Sequence, residues 1–107
     1  MKAILIDAVK REVSGIEVEL TSIASAFPSK GKLGVEVGTI CADSDVLMFY
    51  DKNAVLKFPA EFFYWGDLAK PIFGRALVLG VPATGTTGPQ STELTVREVE
   101  HRMCFVS

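Results

Sequence analysis

The stretch that decides the fold is Arg75-Ala76-Leu77-Val78-Leu79-Gly80-Val81. Its apolar residues follow one another without the alternation of a half-exposed strand, which is typical of a strand buried on both faces. Pro71 lies shortly before it, and a polar segment over residues 82–92 follows it. The sequence therefore predicts a central strand over residues 75–81, in a sheet that has both of its faces covered.

Shorter strand patterns precede this segment. Residues 2–7 form an apolar run bounded by charge, and residues 13–20 alternate between apolar and acidic side chains. Such alternation is typical of a strand with one face in water, so the two segments predict an antiparallel hairpin with Gly15 as a candidate bulge. Two further strands are predicted over residues 33–40 and 46–50.

Two helices are predicted. Ser22 is placed to cap a short helix that Pro28 ends. A longer helix over residues 96–104 begins with Thr95 and Glu98 at the spacing of a capping box. The apolar residues that staple its start or form its inward face are Leu94, Val96, Val99 and Met103.

Together these elements predict a single α+β domain over residues 1–107. The length of 107 residues fits one domain, and the apolar fraction of 49% is too high for a disordered chain. We expect an antiparallel or mixed sheet of about four or five strands, with the C-terminal helix packed on one face. Glu98 and Arg102 are then spaced for an ion pair on the outer face of that helix.

Charge and hydropathy patterning argue against several function classes. The net charge of −2 and the lack of a basic run argue against nucleic-acid binding. No apolar stretch approaches the roughly 18 residues of a spanning helix, and the run after Met1 is too short for a signal peptide. Cys41 and Cys104 lie far apart, without the spacing of a disulfide framework. We therefore expect a cytoplasmic protein without membrane contact.

The sequence contains no complete catalytic or metal-binding pattern. His101 and Cys104 lie three residues apart, with Cys41 as a candidate third metal ligand, but a structural zinc site needs four ligands in tighter spacing. The same residues offer a Cys–His pair, yet nothing orients the imidazole, and Cys104 is expected to pack inward. We predict a protein without its own enzymatic chemistry, metal or cofactor.

The polar segment after the central strand is the candidate ligand-binding element. Residues 82–92 have no apolar periodicity, and loops of this length are often functional. The segment lacks the Lys-Ser/Thr ending of a phosphate loop, but its backbone amides offer an anion-binding nest. The alternative is a flexible loop without a ligand. The candidate binding residues are Thr84, Gly85, Thr86, Thr87 and Gly88.

Aromatic residues are concentrated between residues 58 and 73. Four of them are consecutive, and four consecutive side chains cannot all point inward from a helix or a strand. One interpretation is that the aromatics close one end of the core. The other is that some reach the surface and form a protein interface or dimer seam, anchored by Tyr64 and Trp65. The candidate interface residues are Phe62, Phe63, Tyr64 and Trp65.

Three segments resemble a family of small phage and mobile-element proteins that is catalogued as a domain of unknown function. They are Met1-Lys2-Ala3-Ile4-Leu5-Ile6-Asp7, Lys70-Pro71-Ile72-Phe73-Gly74-Arg75-Ala76-Leu77-Val78-Leu79-Gly80 and Leu94-Thr95-Val96-Arg97-Glu98-Val99. The family pattern is a KAILID start, a PIxGxALVxG strand and an LTxEEV-type helix. Arg97-Glu98 stands where two acids are common, and residues 21–65 match poorly. The resemblance implies a phage- or prophage-encoded protein in a bacterial cytoplasm, and it carries over no functional site.

These observations predict a small non-enzymatic protein that acts by contact with a host or phage protein, or with a second copy of itself as a homodimer. The family context favours interference with a bacterial defence system. The alternative is a small-ligand or nucleotide-binding module that uses residues 82–92.

Overall fold

The fold is built from two antiparallel sheets and three short helices in the computed structural model, which describes residues 1–66 and 68–106. In chain order the strands are β1 (Lys2–Asp7), β2 (Glu12–Glu17), β3 (Val37–Asp43), β4 (Val46–Asp51), β5 (Phe62–Trp65), β6 (Ile72–Phe73), β7 (Arg75–Leu79) and β8 (Met103–Val106). The helices are a 3-10 helix (Leu20–Ala26), α1 (Ala54–Lys57) and α2 (Val96–Arg102). The large sheet has the order β2-β1-β7-β4-β3, and the small sheet has the order β6-β5-β8. The predicted α+β fold class is confirmed.

Strand β7 is the central strand of the large sheet and is antiparallel to both of its neighbours, β1 and β4. Its side chains alternate between two hydrophobic clusters. Ala76 and Val78 belong to one cluster, and Leu77 and Leu79 belong to the other. This confirms the predicted central strand with both faces covered, although the strand ends at Leu79 and not at residue 81.

An inter-sheet core fills the space between the two sheets. Its buried members include Ile4, Ile6, Val46, Met48, Phe63, Trp65, Ile72, Ala76, Val78 and Val99. Because Val99 of α2 is among them, the predicted packing of this helix on one face of the sheet is confirmed. The opposite face of the large sheet is covered by the 3-10 helix and the residue after it, through Ile23 and Phe27. The molecule therefore has three layers.

The first hairpin joins β1 and β2 as predicted, but without a bulge. Gly15 lies opposite Ile4 in an unbroken register, and a Cβ at this glycine would meet nothing within 4 Å. Neither pairing nor packing therefore requires glycine there. The irregularity in the large sheet occurs instead on β3, between Cys41 and Asp43.

The segment between β2 and β3 differs from the sequence prediction. Ser22 does not cap the short helix, because it lies inside the 3-10 helix at a kink with φ −126°. The strand predicted from residue 33 begins only at Val37. The backbone N–H of Glu36, one residue earlier, donates to Asp51 Oδ1 at 3.0 Å. A side-chain carboxylate therefore takes the place of a ladder hydrogen bond at the start of β3.

Helix α2 begins as predicted and ends early. The Thr95 hydroxyl accepts the backbone N–H of Glu98 at 3.1 Å, and the Glu98 carboxylate accepts the N–H of Thr95 at 3.2 Å, which confirms the capping box. The last residue of the helix is Arg102, and β8 takes the place of the expected final turn. Pairing with β5 makes the side chains of β8 alternate between two faces. Cys104 is therefore exposed, and the prediction that it packs inward is wrong.

Candidate functional site

The four consecutive aromatic residues form strand β5, and strand alternation divides them between two faces. Phe63 and Trp65 are both 0% exposed, because they point into the inter-sheet core. Phe62 is half-buried, and Tyr64 is 40% exposed. The predicted interface therefore needs correction: Tyr64 and part of Phe62 are accessible to a partner, whereas Phe63 and Trp65 are not.

Trp65, the expected anchor of the interface, is a core residue with one polar contact. Its indole N–H donates a hydrogen bond to Asp43 Oδ2 at 3.0 Å. A buried indole needs such an acceptor, since an unpaired N–H in the core destabilises the fold. Asp43 is the last residue of β3, so this hydrogen bond ties the small sheet to the end of the large one.

The outer face of the small sheet is apolar. The register places Phe62 opposite Phe73 on one side and Val106 on the other, and it places Tyr64 opposite Cys104. We call these side chains the outer aromatic face: Phe62, Tyr64, Phe73, Cys104 and Val106. None of them is an Asp, Glu, Lys or Arg. An antiparallel sheet with one face in water normally carries polar residues on that face, so this one has the composition of an interaction surface.

Aromatic contacts order the outer aromatic face. The ring centroid of Phe62 lies 5.3 Å from that of Phe73 and 5.9 Å from that of Tyr64. The first pair is tilted and the second is edge-to-face, and both distances are in the favourable range for aromatic pairs. The Tyr64 ring is therefore supported by its own strand before any partner binds.

A charged cluster adjoins the end of β5. Arg102 donates to both carboxylate oxygens of Asp45, at 2.8 and 3.1 Å, and to Asp43 at 3.3 Å. The hydrogen bond from Arg102 lowers the pKa of Asp45, and the same bond raises the pKa of Arg102. These contacts replace the predicted Glu98–Arg102 pair, because the Glu98 carboxylate is used in the capping box. The cluster fastens the β3–β4 turn to α2.

A buried ion pair lies near α1, and sequence reasoning missed it. Lys57 Nζ lies 2.6 Å from Asp51 Oδ2, and the two side chains are 0% and 3% exposed. Lys57 also donates to the carbonyl of Pro28, and Asp51 accepts the N–H groups of Glu36 and Asn53. Burial by itself raises the pKa of Asp51, but the hydrogen bonds from Lys57 and the two N–H groups bring it below the ordinary value. The ammonium group and the carboxylate are therefore both engaged by other groups of the fold.

The candidate ligand loop forms a turn of its own. Thr86 uses both its N–H and its hydroxyl to contact the Ala83 carbonyl, at 3.0 and 2.8 Å. Gly85 and Gly88 have positive φ angles of 81° and 88°, which glycine adopts readily. Residues 84–87 are exposed. Turn geometry thus accounts for these glycines without a ligand, and the anion-binding role of the loop stays a prediction.

The residues considered for a metal site are not brought together. Cys41 and Cys104 are both free and exposed, and His101 is exposed on α2. Within residues 1–66 and 68–106, no group of three His, Cys, Asp or Glu side chains is placed to hold a metal ion. Cys104 belongs instead to the outer aromatic face.

A groove of about 650 Å³ on the surface is the second feature that sequence reasoning missed. Strands β3 and β4, helix α1 and the connection between β5 and β6 all contribute to it. We call it the lysine groove because Lys52 and Lys70 are among the residues that line it. No sequence window could reveal it, since it exists only where these separate segments meet.

No protein-family model, curated protein or solved structure matches this chain. In the part of the chain that the structure describes, no helix is long and apolar enough to cross a membrane. The two surfaces that are candidates for binding are the outer aromatic face and the lysine groove.

Proposed function

We propose that the protein acts by binding another protein through the outer aromatic face. The observation that carries this proposal is that the side chains of the small sheet alternate between two faces and are apolar on both. Its inner residues already fill the core, while its outer residues are also apolar and include the exposed Tyr64. Apolar side chains on this outer face do nothing for the inter-sheet core, and a partner that covers them removes apolar surface from water.

Tyr64 is the proposed centre of the interface. Tyrosine is enriched among the residues that dominate binding energy at interfaces. Its edge-to-face contact with Phe62 limits the motion of the ring, so little side-chain freedom is lost when a partner binds. The charged cluster of Asp43, Asp45 and Arg102 lies next to the end of β5 and provides a polar rim for such an interface.

The proposed setting is a bacterial cytoplasm, with a phage or mobile element as the source of the protein. The resemblance at the KAILID start and in the β7 region supports this setting. The proposed partner is a host or phage protein, and a component of a bacterial defence system is the favoured class. A second copy of the chain is the other partner to be tested.

The test is affinity purification from phage-infected bacteria with three tagged forms of the protein: native, Tyr64→Ala and Leu20→Ala. Leu20 is a matched control because it is 53% exposed and lies on the 3-10 helix, outside the outer aromatic face. We expect one protein to be recovered with the native and Leu20→Ala forms and lost with Tyr64→Ala. That protein, once purified, should bind the native chain directly and bind Tyr64→Ala at least about ten-fold more weakly.

Two results would contradict the proposal. One is equal recovery of every associated protein with Tyr64→Ala, and the other is a recovered protein that shows no direct binding. Sedimentation velocity of the purified native chain tests self-association. A dimer that Tyr64→Ala dissociates identifies the second copy as the partner.

A further inference from the structure

The lysine groove has the size and the lining of a small-molecule site. Its volume of about 650 Å³ lies within the range of roughly 300–1,000 Å³ that ligand pockets occupy. Ile40 comes from the large sheet, Leu68 and Pro71 come from the connection between β5 and β6, and Val55 comes from α1. Val55 is 43% exposed, so the groove is open to solvent on the side of α1. These apolar side chains can bury the body of a ligand.

Positive charge predominates among the described residues that line the groove. They include two lysines, Lys52 and Lys70, and one carboxylate, that of Asp51. Asp51 is engaged by the buried ammonium group of Lys57 at 2.6 Å, so its charge is compensated. The Glu36 carboxylate lies 4.0 Å from Lys52 Nζ, at the limit of an ion pair, and the Lys52 side chain is 52% exposed. The groove therefore favours an anion over a cation.

Gly38 allows two polar side chains to lie on the same side as the apolar lining. A Cβ at this position would come within 2.8 Å of Tyr50 Cζ and within 2.9 Å of Lys52 Cε. Tyr50 and Lys52 are two residues apart, and Gly38 pairs with Tyr50 across the β3–β4 ladder. Ile40 follows Gly38 by two residues and shares its face. The phenol hydroxyl and the ammonium group are thus placed beside an apolar surface.

We propose that the lysine groove binds a small organic anion with an apolar body and a single carboxylate. The body lies against Ile40, Leu68 and Pro71, and the carboxylate is neutralised by Lys52 and Lys70. Charge complementarity of this kind selects an acid over the corresponding amine or alcohol. The groove adjoins the outer aromatic face through Phe73, which belongs to both, whereas Tyr64, the proposed centre of the protein interface, does not line the groove.

The experiment is isothermal titration calorimetry of the purified full chain with decanoate as the probe. Decylamine and decanol carry the same apolar chain and serve as ligand controls. We expect decanoate to bind saturably and the two controls to bind at least about five-fold more weakly, because they lack the attraction to two lysines.

Matched variants locate the site. Lys52→Gln/Lys70→Gln should weaken decanoate binding about five-fold. Lys10→Gln/Lys32→Gln changes two exposed lysines elsewhere and should leave decanoate binding unchanged.

A bulky side chain tests the same site by blocking it. Ala69→Trp places a large ring in the groove at an exposed position and should abolish decanoate binding, whereas Ala83→Trp in the exposed loop should not. Tyr64→Ala should leave decanoate binding unchanged.

Several outcomes would overturn the proposal. They are the absence of decanoate binding, equal binding of decylamine, retention of binding in Ala69→Trp, and an equal effect of the two lysine double variants. Loss of decanoate binding in Tyr64→Ala would also overturn it, because that result would place the anion on the outer aromatic face. The two double lysine variants change exposed residues only. They therefore show whether Lys52 and Lys70 contribute to decanoate binding even if Ala69→Trp does not fold.

Discussion

The two faces of the small sheet carry similar side chains and differ in their burial. On β5, Phe63 and Trp65 are completely buried, while their neighbours Phe62 and Tyr64 belong to the outer aromatic face. Residue type does not separate the two pairs, since both consist of large aromatics. The difference is their position along the strand, because successive side chains of a strand point to opposite faces. One pair therefore lies in the core, and the other pair lies on the outer face.

The same contrast separates the two groups of charged residues. Asp51 and Lys57 are buried and make their contacts within the fold. Asp45 and Arg102 make an ion pair of comparable length, but their side chains are 50% and 32% exposed. Solvent screens an exposed pair, whereas a buried charge that loses its partner remains desolvated. Because the two pairs differ in burial and hardly in distance, we expect the fold to depend more on the buried pair.

The largest effect is expected from Trp65→Ala. Removing this ring leaves a cavity in the inter-sheet core and removes the donor to Asp43, so the free energy of unfolding should fall by about 3–5 kcal/mol. Tyr64→Ala, the matched change on the outer face, should lower it by about 1 kcal/mol or less. Urea denaturation followed by circular dichroism measures both values. Similar losses in the two variants would show that the inner and outer faces contribute equally to stability.

The next largest effect is expected from Lys57→Met. This change leaves Asp51 buried without its cation, and the free energy of unfolding should fall by about 3 kcal/mol. Lys52→Met is the control, since Lys52 is exposed and should change the value by about 0.5 kcal/mol or less. The second substitution Asp51→Asn removes the buried charge but keeps an oxygen that can accept the N–H groups of Glu36 and Asn53. If it restores none of the stability lost in Lys57→Met, the uncompensated carboxylate is not the cause.

The buried pair also makes a pH dependence predictable. The pKa of Asp51 in the folded protein lies below its ordinary value of 3.8, to which it returns on unfolding. The stabilisation from Asp51 is thus complete above that ordinary value and is lost as the pH falls through the lower, folded value. Urea midpoints measured from neutral to strongly acid pH should show this decline. In Lys57→Met the decline should be smaller; an unchanged acid dependence would show that other carboxylates cause it.

The smallest effect is expected from Arg102→Gln. Loss of the contacts to Asp43 and Asp45 should lower the free energy of unfolding by about 1 kcal/mol or less, because the cluster is partly solvated. The difference between variant and native protein should shrink further as salt is added. A loss as large as that of Lys57→Met, unaffected by salt, would show that exposure does not distinguish the two groups of charges.

The sequence predicted the elements whose formation depends on residues that are close to one another in the chain. The apolar run of β7 and the capping box at Thr95 and Glu98 were both recognisable, because each depends on residues close in sequence. The end of α2 was not predicted. Met103–Val106 forms a strand because β5 lies beside it, and this neighbour is about forty residues earlier in the chain.

The candidate site was predictable only in part. The sequence identified the aromatic segment, but dividing it into inner and outer residues required knowing that it forms a strand. The pair of Asp51 and Lys57 and the lysine groove depend on tertiary contacts between segments that have no shared pattern. Nothing in the sequence around Lys57 predicts its burial, and in the structure the Pro28 carbonyl and the Asp51 carboxylate accept hydrogen bonds from its ammonium group.

The junction between α2 and β8 connects the small sheet directly to the helix. The helix ends at Arg102 and the strand begins at Met103, so no loop lies between them. Val99 of the helix packs in the inter-sheet core, and Arg102 donates a hydrogen bond to Asp45 in the β3–β4 turn. Cys104 and its neighbours on β8 are therefore connected through α2 to the edge of the large sheet without an intervening loop.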